Sequence, residues 1–107
     1  MITDEQAREA LEGAIQKWIL IESGKGEDRG SDNCPLCKLY MKGGRCKGCP
    51  IIIDTGFEWC RKTPYDDWCI HHINEGTLRN PMIVHCEECR NIAHDMVKYL
   101  ESLTLKW

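Results

Sequence analysis

The stretch CPLCKLYMKGGRCKGCP, residues 34–50, holds two Cys-x-x-Cys pairs, Cys34/Cys37 and Cys46/Cys49, with eight residues between them. A Cys-x-x-Cys turn aims two thiolates at one point and supplies half of a tetrahedral zinc shell. Two such knuckles, joined by a hairpin turn at Gly43-Gly44, bring four thiolates around one ion. Pro35 and Gly48 suit the tight turns a knuckle needs, where backbone amides point at the sulfurs. The glycines, prolines and cysteines between Cys34 and Pro64 leave no room for a long helix, and Lys38 to Met41 and Ile51 to Ile53 read as short strands. This stretch therefore predicts a short-stranded zinc-binding lobe, and with it an α+β fold.

Helices are expected on both sides of the lobe. Thr3 is a helix N-cap with Gln6 three residues on, the pattern of a capping box. Ala7, Leu11, Ala14, Ile15, Trp18 and Ile19 follow at helical spacing, and the helix should stop near Ser23-Gly24. The segment GKGEDRGSDN, 24–33, is glycine-rich, charged and without an apolar residue, so it reads as a flexible loop. At the other end Asn80 can N-cap and Pro81 suits the first helical position. Met82, Cys86, Cys89, Ala93, Met96, Leu100 and Leu103 then step by four and three along one face. The expected organisation is one domain over 1–107. It comprises a helix over 1–23, a loop over 24–33, a metal lobe over 34–69 and a helix over 80–105, the two helices packed together beside the lobe.

The chain has eight cysteines. Cys34, Cys37, Cys46 and Cys49 form the first expected set. Cys60, Cys69, Cys86 and Cys89 make a second four-thiolate set, in which His71 or His72 can replace one sulfur. Two alternatives stay open at this level. Cys86 and Cys89 fall on the apolar stripe, where a buried thiol is at home without metal. A crossed arrangement joins the first knuckle to Cys60 and leaves Cys46 out. Spacing alone also leaves open zinc, an iron–sulfur cluster or disulfides. A redox Cys-x-x-Cys fits poorly, because Cys34 follows a loop and no obvious helix comes after it.

A chain of 107 residues buries a modest core, and cross-links of some kind would help it. Met1 is followed by acidic helix formers rather than a signal peptide, and no apolar run is long enough for a bilayer, so a cytoplasmic protein without membrane contact is expected. In a reducing compartment paired cysteines favour metal over structural disulfides. The net charge is −3, yet residues 34–62 carry six bases against two acids. Lys38, Lys42, Arg45 and Lys47 make the 38–47 segment a route for nucleic acid, or a counter-charge to a metal–thiolate cluster. The acidity of the whole chain favours a protein partner over nucleic acid.

Two resemblances bear on function. His71-His72-Ile73, Asn80, Cys86-x-x-Cys89 and His94 resemble the HNH endonuclease pattern. That resemblance implies His72 as general base, Asn80 as the orienting residue and His94 as a ligand to a divalent metal. The chain departs from it in having Arg90 directly after the second cysteine and a short span from His72 to Asn80. The motifs Cys34-Pro35-Leu36-Cys37, Cys46-Lys47-Gly48-Cys49-Pro50-Ile51, Thr55-Gly56, Cys60 and Thr63-Pro64-Tyr65 with Trp68 resemble a group of small cysteine-rich phage and prophage proteins. The likeness extends to Lys17-Trp18 and to Tyr99-Leu100-Glu101-Ser102-Leu103, and covers most of the chain. It implies a viral or mobile-element origin, hence a host cytoplasm, and brings no activity with it. Tyr65 and Trp68 are then expected as an apolar lid on the metal lobe. The expectation from sequence is a zinc-stabilised, non-catalytic binding protein, with one zinc site and room for a second. The HNH nuclease is the alternative.

Overall fold

The computed structural model describes residues 2–40, 48–57, 60–77 and 81–106. Thr3 opens the first element as expected. Its Oγ1 accepts from Gln6 N at 3.1 Å, and its own N–H donates to Gln6 Oε1 at 2.8 Å, closing the capping box. Helix α1 then runs Asp4–Glu22 and buries Ala7, Ala10, Leu11, Ala14, Ile15, Trp18 and Ile21. Ile19, expected on that face, is exposed, and Ile21 takes the buried place.

The short-stranded lobe is not what forms. Among the described residues there is no β-strand, and the architecture is mostly helical. Two short helices, α2 (Pro35–Tyr40) and α3 (Pro50–Thr55), stand where strands were expected. The reason lies in the two Cys-Pro dipeptides. Proline has no N–H to give a sheet, but the first turn of a helix does not need one and its φ is already set. The carbonyls of Cys34 and Cys49 instead accept from Lys38 N and Ile53 N, both at 3.0 Å, which are helical i to i+4 bonds. Helix α3 ends at Gly56, whose φ of 79° is the left-handed cap that glycine supplies at least strain. The hairpin expected at Gly43-Gly44 lies outside the described residues.

Helix α4 (Pro64–Asn74) starts on Thr63, whose Oγ1 accepts from Tyr65 N at 3.1 Å. Helix α5 spans Glu87–Thr104, so it starts later than the expected 80. Asn80 lies outside the described residues. Met82 pairs with Asp28 in an isolated antiparallel bridge, N–H to O at 2.8 and 2.7 Å in the two directions. That bridge satisfies backbone groups that a longer helix would have used, and Cys86 becomes the N-cap.

Helix α5 lies along α1, with Ala93, Met96, Val97, Leu100 and Leu103 buried against it, and α4 packs on α5. The 24–33 segment, expected as a loose loop, carries a 3-10 turn at Gly30–Asn33 and a carboxylate at the centre of the structure. Asp28 is 1% exposed. Its Oδ1 accepts from Lys17 Nζ and Gly30 N, both at 2.9 Å, and its Oδ2 from Tyr65 Oη at 2.9 Å and Trp68 Nε1 at 3.1 Å. Tyr65 and Trp68 stand edge-on to Trp18, with centroids 5.8 and 5.2 Å away. Trp68 is thus a core residue rather than a lid. No helix of the described residues is long and apolar enough to cross a membrane.

Candidate metal centre

The last turn of α4 and the first turn of α5 bring four metal-binding side chains together. Ligand atoms of His71, His85, Cys86 and Cys89 all lie within 4.8 Å of one another. Local sequence sets each position. His71 is placed by α4, and is buried. The extended segment after Met82 delivers His85, and the N-cap and third positions of α5 deliver Cys86 and Cys89. Where a helix usually caps its first amides with oxygen, this one uses sulfur. Cys89 Sγ accepts from the N–H groups of His85 at 3.0 Å and Cys86 at 3.3 Å. Amides aimed at a thiolate stabilise its charge as they do in a zinc knuckle.

The spacing suits a tetrahedral ion. Zinc–sulfur bonds of about 2.3 Å put two thiolates about 3.8 Å apart across a tetrahedron edge, and a nitrogen–sulfur edge is about 3.6 Å. Here the Sγ atoms of Cys86 and Cys89 are 3.7 Å apart, and His71 Nε2 is 3.2 Å from Cys86 Sγ. The far nitrogen of His71, Nδ1, lies 2.6 Å from Glu88 Oε2. A carboxylate behind a ligating histidine fixes its tautomer and raises its basicity. Glu88 is also a member of a second group, His71, Glu75 and Glu88, whose ligand atoms are equally close, though Glu75 and Glu88 are both exposed. The imidazole of His85 stacks on that of His71 with centroids 5.3 Å apart. Burial pushes the Cys89 thiol up, against the two amides that lower it. A cation supplies the compensation this thiol needs to ionise.

The other expected ligands fall in two places. Cys34, Cys37, Cys49 and Cys60 line one cavity of about 270 Å³ together with Trp18, Tyr65 and Leu100. Cys34 is not followed by a strand but by α2, which removes the first objection to a redox pair. Its burial at 9% exposure keeps that objection in another form, since a redox thiol must be reached. A hydrogen bond from Cys37 holds the Cys34 thiol down at about 6 despite its burial. Cys46 lies outside the described residues, as do Lys42, Arg45 and Lys47 of the basic segment, while Lys38 is exposed. Cys69 does not join the His/Cys group. It sits half-buried on α4 in hydrogen-bonding contact with Tyr65, its thiol raised by burial.

Of the nuclease pattern, His71, Cys86 and Cys89 belong to this group, Asn80 lies outside the described residues, and His72 and His94 are placed elsewhere. His72 is 1% exposed, with Nδ1 2.8 Å from Trp68 O and Nε2 3.1 Å from Ile83 O. Both ring nitrogens face backbone carbonyls. His94 is on the surface, 3.2 Å from Glu22 of α1. Sequence reading placed His85 on the solvated side of a helix and missed it as a ligand. The signal was there, in a histidine directly before a Cys-x-x-Cys.

No family model, no curated protein and no solved structure matches the chain.

Proposed function

We propose that this is a metal-stapled, non-catalytic binding protein, in which zinc held by His71, His85, Cys86 and Cys89 locks α4 to the start of α5. One observation carries the reading: the ligand atoms of four side chains all lie within 4.8 Å of one another, with Cys89 fully buried. Catalytic zinc sites keep a coordination position for water or substrate, whereas structural sites close the shell with side chains. Mixed nitrogen and sulfur donors favour zinc over magnesium or calcium, which want oxygen. The burial of His72 between two carbonyls supports the non-catalytic reading against the nuclease.

A protein is the partner this reading favours. Helix α4 carries Ile70 and Ile73 on its outer side, 54% and 55% exposed and one turn apart. The chain's net charge of −3 disfavours a polyanion. A cytoplasmic setting, the host's if the gene is viral, keeps the thiols reduced and so belongs to the same reading. Protein purified under reducing conditions without added metal should contain zinc. His71→Ala and Cys89→Ser should each remove the ion from this site, and the wild-type protein should not nick plasmid DNA with magnesium or manganese. Zinc content unchanged by both variants, or nicking abolished by His72→Ala, would overturn the proposal.

A further inference from the structure

We infer a second metal centre, separate from the first, in which Cys34, Cys37, Cys49 and Cys60 hold a thiophilic divalent cation of the zinc class inside the cavity they line. It goes beyond the reading of the His/Cys centre and does not depend on it.

The four thiols come from three segments far apart in sequence, yet they wall one cavity of about 270 Å³ between α1, α2, α3 and α5. The rest of that wall is nearly all apolar, with Ala14, Ile51, Met96 and Leu100 among its residues. Four thiols on one wall are a donor set that suits a thiophilic ion.

The N–H groups of Leu36 and Cys37 hydrogen-bond the Cys34 sulfur, as amides do in a zinc knuckle. Gly48, just before Cys49, has a φ of 83°, and Cys60 itself has a φ of 60°. A non-glycine residue in that region is strained and persists only where its surroundings hold it. They do so here: Cys60 O accepts from Thr63 Oγ1 at 2.6 Å, and Lys62 N donates to Asp66 Oδ2 at 2.7 Å, both at the start of α4. The strain turns Cys60 towards the same space as the other three. Cys34 and Cys37 already share a hydrogen bond. The Lys17 ammonium close to Cys34 offsets part of the negative charge that four thiolates around a divalent ion retain. These four thiols do not all lie within 4.8 Å of one another as the His/Cys group does, so holding one ion requires Cys49 and Cys60 to close on the hydrogen-bonded Cys34–Cys37 pair.

The test uses the full chain, reduced and reconstituted with zinc or cobalt(II). Wild type should bind two ions per chain. Cys86→Ser/Cys89→Ser should keep one, and Cys34→Ser/Cys60→Ser should keep the other. With cobalt, the ion left in the first variant should show a thiolate charge-transfer band about twice as intense as that left in the second, from four sulfurs against two. Binding of one ion by wild type that is lost only with Cys86→Ser/Cys89→Ser would overturn this centre and leave the first standing. Loss of an ion in Cys46→Ser but not in Cys60→Ser would overturn the assignment of Cys60. Iron in anaerobically purified protein, or a Cys34–Cys37 disulfide in reduced and metal-loaded protein, would overturn the ion class. If Cys34→Ser/Cys60→Ser does not fold, thiol alkylation of wild type decides. Zinc should protect Cys34, Cys37, Cys49 and Cys60 while Cys69 stays reactive, and equal labelling with and without zinc refutes the proposal.

Discussion

At the scale of single residues, Asp28 is the position on which most contacts converge. Its side chain takes four donors, from α1, the 3-10 turn and α4, and its backbone pairs with Met82. The Lys17 ammonium is almost as buried, with its side chain 8% exposed. Removing one partner of a buried, hydrogen-bonded pair leaves the other charged and unpaired. Asp28→Ala should therefore cost about 3–5 kcal/mol in urea denaturation. Adding Lys17→Met to it should recover part of that loss, because the orphaned ammonium goes with it. Nothing in GKGEDRGSDN announced this role. An acid among glycines reads as solvated loop, and burial here depends on Tyr65 and Trp68, 37 and 40 residues away. Thr3 is the contrary case, because a capping box is local and both of its bonds are readable from two residues three apart. Thr3→Ala should cost about 1 kcal/mol.

Among the elements, α5 has the most unusual start. The N–H groups of His85 and Cys86, just ahead of it, donate to Cys89 Sγ, and Glu88 of its first turn stands behind His71. Stripping the metal should loosen this turn first. Hydrogen exchange of residues 85–90 should rise on chelation while α1 amides keep their protection. Glu88→Gln should weaken zinc binding by about 10–100-fold without removing a ligand, whereas His94→Ala on the same helix should leave it unchanged. Binding should also weaken as pH falls. The ligands must shed protons to coordinate, burial has already raised the Cys89 thiol, and zinc uptake should therefore release protons near neutral pH. The apolar step of α5 from Ala93 to Leu103 was legible because helical periodicity survives burial. Its start was not, since Asn80-Pro81 is a sound local signal that the Asp28–Met82 bridge overrides. The same lesson applies to Cys34-Pro35 and Cys49-Pro50, and at the second the ring geometry outweighed the β preference of three isoleucines.

For the whole molecule, two layers of stability are expected. The α1–α5 pair is an ordinary apolar core, with Leu11 and Leu103 fully buried in it. Leu11→Ala should cost about 2–5 kcal/mol whether or not metal is present. Zinc in the proposed centre would add a layer that depends on its concentration, about 4 kcal/mol at a free zinc level a thousand times Kd. Thermal melts of the loaded and stripped protein should differ accordingly, and the stripped protein should keep most of its helical circular dichroism. Of the candidate site, the cysteine pairs were visible in the sequence because their ligand spacing is short. His71 was legible as a substitute for one sulfur of the second set, whereas its meeting with His85 was not, because that depends on how the end of α4 meets the start of α5.

The packing of aromatic rings has an optical consequence. Trp68 is fully buried, 4.3 Å by centroid from His72 and edge-on to Trp18, and His72 adjoins the ligand His71. An indole in that position senses any shift of α4 through its quenching by the neighbouring imidazole. Occupancy of the centre should thus be readable as intrinsic fluorescence, without a dye or label.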